Sequence, residues 1–155
     1  MQRNVYVVPV SYDLSHAEQI AAGKFDRITD YDWATDYKLI RKDPTEHLYP
    51  LLKGTAEQRI TLVHLNRYAK RPEIIAEMDK LNLRPTMSTE TLAFLVAHPD
   101  VQRKFPVIGL GSVWVVSRRL RGVLFAYGYS GGRDLYLRWC GIGWLGDCRF
   151  LAVRK

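Results

Sequence analysis

The fold is decided by residues 122–139, which read GVLFAYGYSGGRDLYLRW. On each side of Ser130-Gly131-Gly132, successive side chains fall into two alternating sets, and a period of two is typical of β-strands. Glycine adopts without steric cost the positive φ that a tight hairpin turn requires. The stretch therefore predicts two antiparallel strands, residues 122–129 and 134–139, joined by a short turn.

The strand pattern extends in both directions from this hairpin. Residues 107–116 and 148–153 also alternate or run apolar, so we expect four strands that form one antiparallel sheet. Gly109-Leu110-Gly111 falls inside the first of these strands rather than between a strand and a helix. We therefore do not interpret it as a phosphate-binding loop.

Two further strands are predicted nearer the N-terminus. Residues 4–10 form the first, at a sheet edge, because Pro9 has no N–H to donate to a neighbouring strand. Residues 59–65 alternate plainly and predict a buried strand. Residues 25–57 show no clean period, so we expect a long packed loop with a short strand near residues 37–40.

Helical spacing of apolar side chains predicts three helices and one helical turn. In the third helix, Leu92, Leu95 and Val96 are expected to point inward. Caps set the limits, since Ser, Thr and Asp favour helix starts and Gly and Asn favour ends. The predicted limits are Asp13 or Ser15 to Gly23 for the first helix, Arg71-Pro72 to Asn82 for the second, and His98-Pro99 to the residue before Pro106 for the helical turn; the third helix is capped by Thr86 or Ser88.

A chain of 155 residues is the size of one ordinary domain. The order of the elements predicts a single α+β domain over residues 1–155, in which N-terminal strands and helices pack on a C-terminal antiparallel sheet. The apolar runs are far shorter than the roughly 20 residues that span a bilayer, and the N-terminus lacks the apolar core of a signal peptide. We therefore expect a cytoplasmic protein without a membrane partner.

Charged residues are distributed unevenly along the chain. Residues 101–155 contain 10 basic residues against 2 acidic ones, Asp134 and Asp147, whereas residues 1–100 contain 13 basic and 14 acidic residues. Three of the four tryptophans lie in the same basic region. Arginines beside aromatic rings suit planar, anionic or sugar-like ligands. We expect these groups to share one water-facing patch.

The candidate ligand-binding side chains lie in this basic region. Tyr136 and Arg138 occupy alternate positions of one strand, so we expect them to be exposed together, whereas Trp114 and Trp139 are expected to fill the core. Residues 118–121 either form a solvated loop or contact phosphates. The candidates are Arg119, Arg121, Tyr129, Arg133, Tyr136, Arg138 and Trp144.

Cys140 and Cys148 are the only cysteines. A tight hairpin near Trp144 would bring them close enough for a disulfide bond, whereas a reducing compartment would keep them as buried thiols. We predict thiols. A structural zinc ion would need two more ligands, and the four histidines are scattered without ligand spacing. We therefore expect neither a metal nor another cofactor.

Four aspartates of the long loop, Asp26, Asp30, Asp32 and Asp36, are interleaved with aromatic residues. Their spacing matches neither an EF-hand calcium loop nor the carboxylate pair of a glycosidase. We interpret them as turn residues and caps, or as electrostatic partners of the basic strands. His64 lies in an apolar strand and is expected to be a hydrogen-bonded core residue.

Short motifs over residues 84–155 follow a recognisable order. Arg84-Pro85-Thr86 precedes a helix, Gly111-Ser112-Val113-Trp114 lies in a strand, Ser130-Gly131-Gly132 turns a hairpin, and residues 148–154 read CRFLAVR. In this order they resemble the C-type-lectin-like domains of bacterial and phage proteins, a group that includes the formylglycine-generating enzymes. The resemblance implies a C-type-lectin-like fold for this part of the chain.

The chain departs from the functional motifs of that family. Its sugar-binding members hold calcium with a Trp-Asn-Asp triplet and a Glu-Pro-Asn or Gln-Pro-Asp loop, whereas Trp144-Leu145-Gly146-Asp147 offers one carboxylate and no such loop occurs. The formylglycine-generating enzymes use a cysteine pair with copper, and Cys140 and Cys148 lie in no matching motif. The resemblance therefore implies neither activity.

The sequence leaves three hypotheses for function. The first is a non-enzymatic module that binds a ligand or a protein through the candidate residues, by aromatic contact and arginine hydrogen bonds. The second is a small nucleic-acid-binding protein, whose affinity would fall steeply with salt. The third is an enzyme with a site between residues 25–57 and the sheet, which requires a pocket containing at least two convergent ionisable groups.

Overall fold

The structure, a computed structural model, describes residues 2–29, 39–115, 117–118, 120–129 and 131–155. These residues form a mixed α+β fold with nine strands and four helices, and none of the helices in these ranges is long and apolar enough to cross a membrane. The strands are β1 (Gln2–Ser11), β2 (Arg27–Thr29), β3 (Glu46–His47), β4 (Thr55–His64), β5 (Leu83–Pro85), β6 (Val107–Val115), β7 (Arg121–Tyr129), β8 (Gly132–Trp139) and β9 (Arg149–Arg154). The helices are α1 (His16–Gly23), α2 (Arg71–Lys80), α3 (Ser88–Ala97) and α4 (Pro99–Lys104).

The strands belong to one sheet. Seven of them follow the order β1-β4-β9-β6-β7-β8-β2, while β3 pairs with β6 and β5 pairs with β9. Most neighbours are antiparallel, but β6 is parallel to β9 and β2 is parallel to β8. The prediction of an antiparallel C-terminal sheet with N-terminal strands packed on it is therefore wrong. A period of two identifies strands, but it carries no information about which strands pair.

The hairpin of residues 122–139 forms as predicted. β7 and β8 pair antiparallel from Gly122 opposite Trp139 to Tyr129 opposite Gly132, and Gly131 in the turn has a φ of +89°. At the other end of the described sheet, β1 is an edge strand, as its proline predicted.

Helix α1 begins with a capping box. Ser15 Oγ accepts a hydrogen bond from the Glu18 N–H at 3.1 Å, and Glu18 Oε1 accepts one from the Ser15 N–H at 3.1 Å. Ser15, rather than the alternative Asp13, is therefore the N-cap residue. This cap fixes the direction in which α1 leaves β1.

Helix α3 begins differently from the prediction. Its N-cap residue is Met87, neither Thr86 nor Ser88, and the Glu90 carboxylate accepts the Met87 N–H at 2.8 Å. The cap signal was misplaced because Glu90 satisfies the Met87 N–H, and the hydroxyl that satisfies the Ser88 N–H belongs to Ser112 of β6 instead of a cap residue. Val96 was expected to point inward, yet it is 39% exposed.

The long loop contains more structure than its sequence indicated. The expected short strand near residues 37–40 is absent from the described residues, where Leu39–Arg41 forms a 3₁₀ turn, and residues 37–38 lie outside them. β2 and β3 come instead from Arg27–Thr29 and Glu46–His47. Strands of two or three residues are too short to show a period, so the sequence carries no signal for them.

Both faces of the sheet are covered, which gives two apolar cores. On one face Leu124 and Leu137 pack with residues of α1 and α3, including Ile20 and Leu92. On the other face Phe125 packs with Trp144 and with Ile74 and Met78 of α2. The alternation in residues 122–139 therefore assigns side chains to the correct cores.

Gly111 allows the start of α3 to approach β6 closely. A Cβ at this position would lie 2.4 Å from the Thr86 carbonyl oxygen, whereas the Gly111 N–H donates to that same oxygen at 2.9 Å. Only glycine leaves room for this backbone contact. The contact fixes the N-terminal end of α3, where the polar side chains of Ser88 and Glu90 lie.

Candidate functional site

Arg133, one of the predicted ligand-binding residues, is buried. It is 5% exposed, and its guanidinium donates to the carbonyl oxygens of Gly23 at 2.6 Å and Leu95 at 2.9 Å. Burial lowers the pKa of Arg133, although an arginine remains charged at neutral pH. The residue joins the C-terminal turns of α1 and α3, so it is not presented to a ligand in solvent.

Tyr136, Arg138 and Trp144 come together on the opposite face of β8. Arg138 Nη1 donates to the Tyr136 hydroxyl at 3.2 Å, and the Arg138 guanidinium carbon lies 5.7 Å from the centroid of the Trp144 ring. Tyr136 and Arg138 share a face, as expected, but both are half-buried instead of exposed. Trp144 is 2% exposed and stacks on Phe125, so it forms the floor beneath Arg138 instead of an exposed contact.

Arg121 and Tyr129 lie at opposite ends of β7. Arg121 Nη2 donates to the Glu46 carboxylate at 3.2 Å, and the Arg27 guanidinium carbon lies 5.3 Å from the centroid of the Tyr129 ring. Arg119 lies outside the described residues. Side chains from the first third of the chain therefore occupy both of these predicted contacts.

The basic residues do not gather into one patch in the described part of the chain. Arg133 and Arg138 point to opposite faces of β8. The guanidinium carbon of Arg149 lies 3.8 Å from the centroid of the Phe105 ring. Asp134, one of the two acidic residues of the region, pairs with Arg27. The expected patch fails because alternation along a strand sends neighbouring side chains to opposite faces.

Three other sequence interpretations can be compared with the structure. Asp26 accepts the backbone N–H of Arg133 at 2.7 Å, a contact with strand β8 and not a local turn or cap bond, while the three other aspartates lie at positions outside the described residues. His64 Nε2 donates to the Gly146 carbonyl at 2.7 Å, as expected for a satisfied histidine. Cys140 and Cys148 are free thiols.

The two thiols are poorly suited to nucleophilic chemistry. Burial raises the pKa of Cys148 to about 11 and also raises the pKa of Cys140. The thiolate is the reactive form of cysteine, so both residues are essentially unreactive at neutral pH in the folded state. No group of three or more His, Cys, Asp and Glu in the described ranges could hold a metal ion.

A cavity lies at the other end of the sheet, where β1 and β4 meet α1 and α3. Its volume is about 630 Å³, and its lining is mostly apolar. We call it the apolar groove; its walls include Val10, Leu14, Gln19, Ala22, Ala93 and Val96. The exposure of Val96 follows from this position, because its side chain borders an open groove instead of a filled core.

Gln19 lies in the wall of the apolar groove, and its side-chain oxygen has no hydrogen-bond partner among the described residues. The residue is 3% exposed, and its Nε2 donates to the Thr89 carbonyl at 3.0 Å. Since a carbonyl can only accept, this bond fixes the orientation of the amide. Gln19 Oε1 is then buried without a hydrogen-bond partner among the described residues. Such an atom costs about 1–3 kcal/mol unless a ligand or water donates to it.

A second, more polar cavity of about 350 Å³ adjoins the groove, and Leu14 lines both. We call it the histidine pocket, because His16 and His47 line it together with Tyr12 and Asp43. Asp43 and His47 come from the 25–57 segment. The condition set by the enzyme hypothesis, a pocket with at least two convergent ionisable groups, is therefore met.

His16, in the wall of the histidine pocket, joins Asp43 of the same wall to Ser88, which lies behind the wall. Its Nδ1 lies 2.9 Å from Asp43 Oδ1, and its Nε2 lies 2.6 Å from Ser88 Oγ. Burial lowers the pKa of His16, an effect that Asp43 opposes. In the neutral imidazole, Nδ1–H donates to the carboxylate and Nε2 accepts from the hydroxyl. Ser88 itself is 2% exposed.

His47 continues the polar chain. Its Nδ1 lies 2.8 Å from Ser112 Oγ, and Ser112 Oγ also accepts the Ser88 N–H at 2.9 Å. Burial lowers the pKa of His47, against the opposing charge of Asp43. Both histidines are therefore mainly neutral at physiological pH, which is the form that can accept a proton.

A buried ion pair supports the other side of the histidine pocket. Glu90 is fully buried and binds Arg84 through two hydrogen bonds of 2.9 and 2.8 Å. The Tyr12 hydroxyl donates to Glu90 Oε2 at 2.6 Å. Burial and the Glu90 charge strongly raise the pKa of Tyr12, so this phenol stays protonated. Its hydroxyl donates to Glu90 and accepts a hydrogen bond from Gln58 Nε2 at 2.9 Å.

The residues of the groove and the histidine pocket were not singled out from the sequence. A usable signal was present in α1, where His16, Gln19, Ile20 and Gly23 fall on one helical face. All four are buried, so the helical period alone places two polar side chains inside the protein. Comparisons of the chain with protein-family models, curated proteins and solved structures find no match.

Proposed function

We propose that this protein is a binding module for a small, largely apolar molecule that lies in the apolar groove. The observation that carries the proposal is the groove itself, a cavity of about 630 Å³ with a mostly apolar lining. Gln19, one of its wall residues, has a buried Oε1 without a partner among the described residues. The class of function is the one expected from the sequence, ligand binding without catalysis or a cofactor. The proposed site has moved from the C-terminal strands to the opposite end of the sheet.

The chemistry of the groove limits the ligand. A volume of about 630 Å³ falls within the range of small-molecule sites, which are mostly apolar with a few fixed polar groups. Gln19 Oε1 can only accept a hydrogen bond. The ligand should therefore carry a hydroxyl or N–H donor on an apolar body, and a polar end could extend past Leu14 into the histidine pocket.

Titration with 1-naphthol and with naphthalene tests this proposal, because the two probes differ only in the hydroxyl. We expect 1-naphthol to bind more tightly, and Gln19→Leu to remove most of that difference, about tenfold in Kd for one lost hydrogen bond. Naphthalene binding should be unchanged or stronger in the same variant. Fluorescence titration or calorimetry measures both constants.

A matched pair of variants controls for indirect effects. Ala22 and Ala17 both lie exposed on α1, but only Ala22 lines the groove. Ala22→Phe should fill the groove and abolish binding of both probes, whereas Ala17→Phe should leave it intact. Equal binding to the two variants would reject the groove as the site.

A hydrolytic function is the second candidate, supported by the order Ser88, His16, Asp43. Hydroxyl, imidazole and carboxylate within hydrogen-bond reach are the arrangement of a nucleophile, a general base and the group that orients the base. On an ester, Ser88 Oγ would bond to the carbonyl carbon while its proton passes to His16 Nε2. That proton then leaves with the alcohol, and water hydrolyses the acyl-serine.

A fluorophosphonate probe tests hydrolysis separately from binding. Phosphonylation of Ser88 that His16→Gln prevents, detected by mass spectrometry, would support it, with Ser117→Ala as a control of unchanged labelling. Because Ser88 is 2% exposed, labelling also requires that the pocket opens. An unlabelled protein that still binds 1-naphthol would reject hydrolysis and keep the binding function.

The remaining sequence predictions stay predictions. These are the C-type-lectin-like nature of residues 84–155, residence in the cytoplasm, and nucleic-acid binding. The free thiols Cys140 and Cys148 are compatible with a reducing compartment. The separation of Arg133 and Arg138 on opposite faces gives little support to nucleic-acid binding, which loss of single-stranded DNA affinity between low and physiological salt would test.

A further inference from the structure

Two arginines approach each other on one face of the sheet, Arg59 of β4 and Arg154 of β9. These strands pair antiparallel up to Thr61 opposite Ala152. This register, extended two positions beyond the last pair, places Arg59 across from Arg154, and both residues line one cavity. Alternate residues of a strand share a face. Both guanidinium-bearing side chains therefore project on the side of the sheet where Thr61 lies.

This arrangement is unfavourable without a counter-ion. Like charges directly opposite each other on neighbouring strands destabilise a sheet. Neither Arg59 nor Arg154 forms an ion pair or hydrogen bond through its side chain with another described residue. The carboxylate of Asp79 pairs with Lys155. Both arginines are exposed, so their charges are available to a ligand.

The two arginines border a cavity of about 270 Å³. Its other walls are apolar, from Val5, Leu81 and Leu83, and it also contains Thr61. Thr61 is 7% exposed, and its hydroxyl makes no hydrogen bond to another described residue. The cavity therefore combines two positive charges, a free hydroxyl donor and a small apolar surface.

We propose that this cavity binds a small organic anion, with a phosphate or carboxylate between Arg59 and Arg154 and an apolar body against Val5, Leu81 and Leu83. Guanidinium groups recognise such oxyanions by charge-assisted hydrogen bonds. The Thr61 hydroxyl supplies a further donor. The site shares no lining residue with the apolar groove, so it does not depend on the proposed function.

Thermal unfolding with phenyl phosphate tests the proposal, with inorganic phosphate and chloride compared at constant low ionic strength. Phenyl phosphate should raise the unfolding midpoint of the unchanged protein in a saturable manner, and more than inorganic phosphate does. Arg59→Gln/Arg154→Gln should abolish this rise. Lys53→Gln/Arg118→Gln removes the same charge at exposed positions elsewhere and should preserve it.

A second measurement detects the repulsion itself. In chloride alone, Arg154→Gln should raise the midpoint by about 1–3 °C, because relief of a like-charge pair is worth a few tenths to 1 kcal/mol. A lower midpoint would overturn the proposal. Equal shifts with inorganic and phenyl phosphate would show that the apolar walls take no part, and an unchanged shift in the double variant would place the anion elsewhere; either result also overturns it.

Discussion

The two ends of the sheet use their polar side chains in different ways. At the β7–β8 end, Arg133 binds two backbone carbonyls and Arg121 pairs with Glu46, so both of these positive charges have partners within the protein. At the β1–β4 end, Gln19 and His16 line adjoining cavities. The comparison teaches that an excess of one charge in a sequence is a weaker guide to a site than the cavities that the fold leaves open.

The largest expected effect tests whether the aromatic residues at the β7–β8 end are structural. Trp144→Ala should lower the free energy of unfolding by about 3–5 kcal/mol, because it leaves a cavity between Phe125 and Phe150. Tyr129→Ala, at a side chain 46% exposed, should cost less than about 1 kcal/mol. Urea denaturation measures both. Similar losses in the two variants would contradict the assignment of Trp144 to the core.

The next effect compares an ion pair at each end. Glu90→Gln should cost about 3 kcal/mol, because it leaves Arg84, whose side chain is 12% exposed, without its charge partner. Glu46→Gln breaks a pair whose side chains are 46% and 50% exposed, so it should cost about 0.5 kcal/mol. Because both variants replace a glutamate with glutamine, the difference between their urea midpoints measures how much the burial of the ion pair contributes to stability. A larger loss for Glu46→Gln would reverse the comparison.

The smallest effect concerns pH and the histidine pocket. Burial lowers the pKa of His16 from its ordinary value of 6.5, so on acidification the unfolded chain takes up the proton first. The free energy of unfolding should therefore fall as pH drops below about 6.5, by at most about 1.4 kcal/mol per pH unit. His16→Gln should flatten this decline, leaving the part due to His47. Parallel pH profiles for the two proteins would show that His16 does not titrate in this window.

Local patterns in the sequence predicted most of the elements. The alternation in residues 122–139 and the turn at Gly131 specify the hairpin, and Ser15 with Glu18 specifies the start of α1. These features succeed because each depends on residues a few positions apart. They also assign Leu124 and Phe125 to different cores.

Interactions over long distances in the sequence could not be predicted in the same way. Arg133 is buried because Gly23 and Leu95, which lie 110 and 38 positions away, offer it carbonyl oxygens. The histidine pocket likewise depends on His16 meeting Asp43 and Ser88, which no spacing encodes. The sequence therefore does not predict which residues form the candidate site, although the enzyme hypothesis requires a pocket with two convergent ionisable groups.

The position of β9 has a consequence for how the chain acquires its shape during synthesis. This strand follows the other eight in sequence, yet it lies between β4 and β6. Until it has left the ribosome, the β1–β4 ribbon and the β6–β7–β8 unit each have an unpaired inner edge and share no strand that joins them. The sheet cannot be completed before residues 149–154 have been synthesised. A nascent chain that stalls earlier would expose two strand edges with unpaired backbone groups, which can pair with other chains or bind chaperones.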